Sequence, residues 1–232
     1  MDNATLSTEG MRRLCQEIPF FRDFDRDLLQ QTIRHISIRQ HPANQVILLE
    51  HDWGGSVYFI LSGWIKIRTH NLDGKEVTLN IVGQGEVIGE MAAIEAAPRS
   101  TDAITLTAAE VCSVPAAEFY HLLQIYPLAG IRLAQLIAKR LRQLNRRLRL
   151  REAESLTRVA DTLLFLAEGQ GRNTDKGIEI PNLPHRELSS ISGLARETVT
   201  RSLTKLEKRG LIQRNTDTLS IPDLGSLEDM VS

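Results

Sequence analysis

The stretch HRELSSISGLARETVTRSLTKLEKRGLI, residues 185–212, decides how the rest of this chain is read. Leu188 and Ile191 fall at helical spacing and Ser192-Gly193 closes that helix, while Arg196 opens a second whose apolar face is Val199, Leu203 and Leu206. Two short helices joined through a glycine turn form the helix-turn-helix pattern. In the second helix Arg196, Glu197, Thr200 and Arg201 turn away from Val199 and Leu203 and are free to reach base edges. Arginine pairs bidentately with guanine and glutamate accepts from the cytosine amino group, so this face suits G·C pairs in a major groove. Thr198, Lys205, Lys208 and Arg209 are placed for phosphates or solvent. Arg186, in the first helix, is a further DNA-binding candidate. Downstream, GLIQRNTDTLSIPD, residues 210–223, predicts two short strands around Asn215 to Thr218, a wing.

Upstream of this module lies a long helical stretch. Gly130, Ala134, Ile137, Leu141, Leu144 and Leu148 follow the alternating four-three spacing of a coiled-coil seam, flanked by Lys139, Arg140, Arg142, Arg146 and Arg147. One seam on a long helix needs a partner, either the protein's own barrel or the same helix of a second subunit; the second is favoured by the helix's length, so a homodimer is expected. Thr157 to Asp161, where the basic seam gives way to RVADTLLFLAEGQG, is the candidate hinge. Glu168 to Gly177 reads as a polar, glycine-rich loop.

Between Val46 and Val114 the apolar period is two. QVILLE, VYFILSG, WIKIRTH, VTLNIVG, STDAITLTA and EVCSV are short runs punctuated by glycines and Pro98, the signature of a barrel or jelly roll. Asp73-Gly74 between two of them predicts a two-residue hairpin with positive φ at both central positions. The strands stop at Pro115. Ahead of them, the pattern from Leu6 to His35 predicts two short helices separated by a turn, an N-terminal cap.

Inside the strand series sits GEVIGEMAAIEAAPRST, Gly85 to Thr101. Its glycines let the backbone approach a ligand, a helical turn near Glu90 aims N–H groups outward, and Arg99 with Ser100 adds a guanidinium fork and a hydroxyl. A carboxylate beside such a phosphate grip requires a donor to accept from, and a ribose 2′-hydroxyl is one. The pattern reads as a ribose-phosphate cradle.

Residues 85–101 resemble the phosphate-binding cassette of cyclic-nucleotide-binding domains, and the whole chain resembles the bacterial cyclic-AMP receptor protein (CRP/FNR) family of transcription regulators. The resemblance implies an α+β fold with an N-terminal jelly-roll effector domain (1–132), a dimerisation helix (133–156) and a C-terminal winged helix-turn-helix (157–232). It puts Glu90, after Gly89, on the ribose hydroxyl and Arg99 with Ser100 on the cyclic phosphate, with Met91, Ala92 and Thr101 completing the cassette. On the long helix, cyclic-AMP-responsive members carry a Thr-Ser pair that touches adenine. Here Leu144 and Asn145 stand at those positions, with Arg140 one turn earlier. Asn145 can meet a base edge, but Leu144 cannot replace a hydroxyl. The implied effector is cyclic AMP, with cyclic di-GMP the alternative because the helix from Lys139 to Arg151 is dense in arginine. The family's heme sensors would need an axial ligand such as His70 or His121. The Arg-Glu-Thr-Val-x-Arg string implies double-stranded DNA with a TGTGA-like half-site as the partner, and RNA polymerase as a further one; the alternative is a nucleotide-binding module acting on a protein partner, with the C-terminal domain as its adapter.

Composition agrees with this division. The 232 residues carry 28 basic and 29 acidic side chains, but residues 1–133 hold 11 basic against 16 acidic and residues 134–157 hold 7 against 2. The sign flips at the long helix, and 177–214 is again basic, with 7 against 4. An acidic head and a basic C-terminal module point to a polyanion partner for the latter. Cys15 and Cys112 have no metal-ligand or redox spacing, which fits a cytoplasmic protein with two buried apolar thiols and no metal. No span reaches the roughly 18 apolar residues of a membrane helix, so no membrane partner is expected. No Ser/His/Asp, Cys/His or Walker A pattern accompanies Glu86 and Glu90, so an enzyme is not expected.

Overall fold

Val57, Phe59 and Leu61 are buried on one side of the segment Ser56–Ser62 and belong to one apolar cluster, whereas Ile60, between them, is buried in a second. A strand with period two and both faces apolar needs a layer on each side. The computed structural model, which describes residues 8–231, provides both. In chain order its elements are α1 (Thr8–Glu17), a 3-10 turn (Pro19–Phe21), α2 (Arg26–Thr32), β1 (Ser37–His41), β2 (Val46–Leu48), β3 (Ser56–Ser62), β4 (Ile65–His70), β5 (Glu76–Val82), β6 (Val87–Ile88), α3 (Glu90–Glu95), β7 (Asp102–Thr105) and β8 (Ala109–Pro115). There follow α4 (Ala116–Ile125), α5 (Pro127–Arg149), a 3-10 turn (Leu150–Glu152), α6 (Ser155–Gln170), β9 (Arg172–Thr174), β10 (Gly177–Pro181), α7 (His185–Ser192), α8 (Arg196–Lys208), β11 (Gln213–Arg214), β12 (Thr218–Ile221) and α9 (Leu224–Glu228).

The first eight strands make two antiparallel sheets, ordered β1-β8-β3-β6 and β2-β7-β4-β5, the double-sheet arrangement of a jelly roll. Leu48, Ile60, Ile65, Val82, Ile88, Ala103, Ala109 and Val111 fill one cluster of this barrel. On the other face of β3 and β8 the helices contribute Met11, Leu14, Leu29, Phe119, Leu122, Ala129 and Leu133, around an aromatic group in which Phe59 lies 4.7 Å from Phe21 and 6.0 Å from Phe119. Asp25 caps α2 by accepting from the Leu28 N–H at 2.9 Å. The N-terminal cap expected from the pattern is therefore present. Leu6, where that pattern starts, lies outside the described residues.

The chain divides into two compact units, one made of residues up to His70 with Leu79–Ile137, the other of Asn71–Thr78 with Ala138 onward. In the second unit α6 is the hub: Val159, Ala160 and Leu163 to Ala167 are all buried, as are Leu188 and Ile191 of α7 and Val199, Leu203 and Leu206 of α8. A four-stranded antiparallel sheet, β11-β12-β10-β9, completes this unit.

Four local expectations are corrected. The β4–β5 connection is five residues long, and only Gly74 has positive φ, at 72°. Asn71 explains this, because its side-chain oxygen accepts from the N–H groups of Asp73 and Lys75 and so builds a longer turn than Asp73-Gly74 alone. Thr157 to Asp161 is not a break between helices but lies inside α6, with Thr157 and Arg158 half-buried and Val159 to Asp161 buried. The chain leaves helical geometry earlier, at Ala153 (ψ 163°) and Glu154 (ψ 147°). Glu168 to Gly177 is not a loop: it is the end of α6 followed by the β9–β10 hairpin, with Gly177 at φ 101° and the Thr174 hydroxyl bonded across the turn. Of the two thiols, Cys112 is buried and its ionisation is pushed up to about 12, whereas Cys15 is only half-buried.

Candidate effector cradle and nucleic-acid interface

β6 ends at Ile88, and the chain then turns through Gly89 into α3. Gly89 sits at φ 78°, a left-handed conformation that favours glycine, and a Cβ there would fall 2.5 Å from Arg99 Nη1. Glu90, the first residue of α3, is 4% exposed, and so is Arg99 beyond the helix. The guanidinium donates from Nη1 to the carbonyl of Gly89 at 2.7 Å and from Nη2 to that of Ser56 at 2.5 Å. Its Nε is buried and has no hydrogen-bond partner among the described residues. Burial holds the Arg99 guanidinium below its ordinary value, against the charges of Tyr58 and Glu90. The backbone is tied on the same side, where Arg99 N donates to Asp52 O at 2.9 Å and His51 N to Arg99 O at 2.8 Å.

Gly89, Glu90 and Arg99 are thus brought together, and Ala92 is buried beside them, while Met91 and Ser100 stand exposed and Thr101 is half-buried. The donor set suits a phosphodiester with a ribose hydroxyl: a guanidinium whose Nε–H has no partner among the described residues, two hydroxyls at Ser100 and Thr101, and one carboxylate. The neighbouring Asp102 is held by Arg68 Nε at 3.0 Å and accepts from Glu50 N at 2.9 Å, which pins β7 where the cassette ends. Asp52 and Ser56 enter the cradle through their backbone carbonyls, and Gly54 through the space its missing side chain leaves beside Arg99. Their side-chain types gave no signal, and only a strand-pairing model of the barrel would have found them. Arg140, Leu144 and Asn145 lie on the part of α5 that belongs to the second unit, the first half-buried and the other two exposed. His70, at the end of β4, and His121, on α4, are both exposed. Among the described residues no group of His, Cys, Asp and Glu is placed to hold a metal ion.

In the second unit α7 ends at Ser192, and Gly193 (φ 65°) makes the turn into α8. The carbonyls left over at that end are capped by two arginines. Arg147 donates to Ile191 O at 2.7 Å and lies over the Phe165 ring, while Arg158 donates to Ser192 O at 2.6 Å. Burial pushes the Arg147 guanidinium down, with Asp161 opposing. So anchored, α8 buries Val199, Ser202, Leu203 and Leu206 and exposes Arg196, Glu197, Thr200, Arg201, Lys205 and Lys208, with Thr198 half-buried. Thr200 is engaged by His185 Nδ1 at 2.8 Å. Arg186 is exposed near the start of α7, its Nε 3.0 Å from the buried Glu187. The predicted wing is present as β11 and β12, fastened to α8 by Arg214 and Glu207 at 2.6 Å.

Residues 38–126 match the family described as the cyclic nucleotide-binding domain, and residues 157–230 match the Crp-like helix-turn-helix domain. The cyclic AMP receptor protein of Thermus thermophilus is 28% identical over 214 residues, 91% of this chain and 96% of that protein. The cAMP-activated global transcriptional regulator CRP of Salmonella typhimurium is 29% identical over 196 residues, 83% of this chain and 93% of that protein. Among solved structures, a CRP/FNR-family transcriptional regulator of Thermus thermophilus superposes with a TM-score of 0.65 at 25% identity, covering 84% of this chain and 98% of that one. No helix among the described residues is long and apolar enough to cross a membrane.

Proposed function

Because the chain belongs to the cyclic-AMP receptor protein family of cyclic-nucleotide-binding transcription regulators, we propose that it is a cytoplasmic homodimer, not an enzyme, that binds a palindromic DNA site when its effector is bound. The effector in this reading is cyclic AMP. The observation that carries the proposal is the exposed face of α8, where Arg196, Glu197, Thr200 and Arg201 stand opposite a fully buried apolar face. Arginine and glutamate on that face supply the donors and acceptor that read G·C pairs of a TGTGA-like half-site, while Arg186, Thr198 and Lys205 touch phosphates.

The division into an effector domain (1–132), a dimerisation helix (133–156) and a DNA-binding domain (157–232) is part of this reading. Dimerisation is supported by α5. Ile131, Ile137, Leu141, Leu144 and Leu148 are all exposed on it, Leu144 by 51% and Leu148 by 59%, while Leu133 and Gln143 are buried. Such a seam left bare on a single chain is matched by a second copy, and a two-fold axis would set two recognition helices about 34 Å apart, one turn of DNA. In the cradle, Glu90 accepts from the ribose hydroxyl and Arg99, Ser100 and Thr101 hold the phosphate. Arg140 and Asn145 are the candidates for contact with the base, to which Leu144 could offer only apolar contact. Effector and operator are then linked, each tightening the other by the same factor. RNA polymerase is the partner such a regulator would address on DNA.

The test is isothermal titration with cyclic AMP, cyclic GMP and cyclic di-GMP, each repeated with a TGTGA palindrome present. Cyclic AMP affinity that rises when the palindrome is added is the expected result. Preference for cyclic di-GMP would overturn the choice of effector, and DNA affinity indifferent to all three would overturn the coupling.

A further inference from the structure

Gly54 stands apart from the other glycines of the barrel. Its φ lies outside the left-handed region, so its backbone makes no demand for glycine. Yet a Cβ on it would fall 2.1 Å from Arg99 Nη2, 2.2 Å from Nε and 2.4 Å from Cζ, deep inside van der Waals contact. Gly55, the next residue, has nothing within 4 Å of the same added atom. The backbone around Gly54 is held on both sides, because Asp52 O accepts from Arg99 N at 2.9 Å and Gly55 O accepts from Ala116 N at 2.8 Å. What yields to a side chain at position 54 is therefore the far end of Arg99, whose two bonds to Gly89 O and Ser56 O would be given up.

We propose that Gly54 is a positioning residue for effector binding: the absence of its side chain makes the slot that seats the Arg99 guanidinium between Ser56 and Gly89, ready for an anionic phosphodiester. The inference rests on the reading of Arg99 as the phosphate-binding group, and it adds a condition to that reading. The guanidinium is seated before the effector arrives, so binding does not have to order a free arginine side chain. The same slot makes position 54 a place where one methyl group weakens effector binding without changing the fold.

The experiment compares Gly54→Ala and Gly55→Ala with the unaltered protein. Two readouts are taken: the rate at which phenylglyoxal modifies Arg99 in the absence of any nucleotide, followed by peptide mass mapping, and the dissociation constant for cyclic AMP. In Gly54→Ala the Arg99 modification rate rises well above that of the unaltered protein, and the cyclic AMP dissociation constant rises about 10- to 100-fold, as for loss of a charge-assisted hydrogen bond. Gly55→Ala behaves as the unaltered protein in both. Arg99 equally protected in Gly54→Ala and in the unaltered protein would overturn the proposal. Arg99 released with cyclic AMP affinity unchanged would leave the slot standing and remove the phosphate role of Arg99. If the unaltered protein does not bind cyclic AMP, the modification rate alone decides. Should Gly54→Ala fold poorly, the melting temperature of Gly54→Ala/Arg99→Ala settles the matter: equal to that of Arg99→Ala, it shows that the methyl group acts only through the guanidinium, and further lowered, it rejects the slot.

Discussion

Arg99 in the barrel and Arg196 on α8 are both arginines assigned to a phosphate-bearing ligand, yet the first is 4% exposed with two nitrogens on backbone carbonyls and the second stands in solvent at the start of its helix. The barrel seats its cation in advance, in a slot whose walls come from β3, the β2–β3 connection and the turn before α3. The helix α8 leaves Arg196 in solvent and ties Arg201 only to the Thr198 hydroxyl of the same helix, at 3.3 Å, so that on the proposed reading DNA would order them. A small ligand has few atoms with which to offset the ordering of a side chain, whereas a duplex offers a row of phosphates and base edges. Rigidity in the second unit is spent elsewhere, on the carbonyl end of α7 that Arg147 and Arg158 cap.

The comparison breaks first if the barrel loses the support behind its slot. Phe119→Ala removes a side chain with no solvent exposure that lies 6.0 Å from Phe59, and is expected to cost about 3–5 kcal/mol in a denaturant unfolding experiment. Next in size, Arg99→Ala should remove effector binding with the jelly roll still folded. Titration calorimetry checks the first part and circular dichroism the second, and unchanged effector affinity would reject the assignment. On the other side of the comparison, Arg196→Ala or Glu197→Ala should relax preference at one half-site position by about 1–3 kcal/mol, measured across an operator library. Lys205→Ala, by contrast, should weaken binding to all sequences alike and lower the salt slope by about one unit.

The smallest effect concerns pH. Arg13 hydrogen-bonds Glu110 and holds its carboxyl below the ordinary glutamate range, with burial opposing. A lowered folded value means that this pair stabilises the barrel above about pH 4.3, the unfolded glutamate value, and that the contribution is lost as pH falls through the folded one. Glu110→Gln should flatten that part of a melting-temperature profile against pH.

What could be read in advance follows the same division. α8 was legible because its roles repeat with the helical period: Val199, Leu203 and Leu206 inward, Arg196, Glu197, Thr200 and Arg201 outward. The strand series was legible through its period of two. In the cradle, Gly89, Glu90 and Arg99 were legible from their order, but Ser56 and Gly54, more than forty positions before Arg99 in the chain, contribute a carbonyl and an empty volume, and neither has a residue type that announces it. The turn at Asn71 was misread because a side-chain oxygen competed with the backbone preference of Asp73-Gly74. The hinge was misread because a change in charge composition is not a change in backbone. Thr157 to Asp161 is buried or half-buried helix, and the extended pair Ala153-Glu154 carries no glycine or proline to mark it.

That extended pair has a chemical corollary. Glu154 is exposed beside Arg151 and Glu152, which are exposed too, so this is where limited proteolysis would nick the chain, and the fragment beginning at Ser155 would retain α6 and every element after it. It would also lose Arg146, whose Nε lies 2.6 Å from Asp161 Oδ1, and Arg147. Asp161 is 3% exposed, and burial already raises its carboxyl against those two cations. Severed from them, it would take up a proton on folding, and the liberated module would gain stability on acidification where the intact chain's Arg13–Glu110 pair loses it.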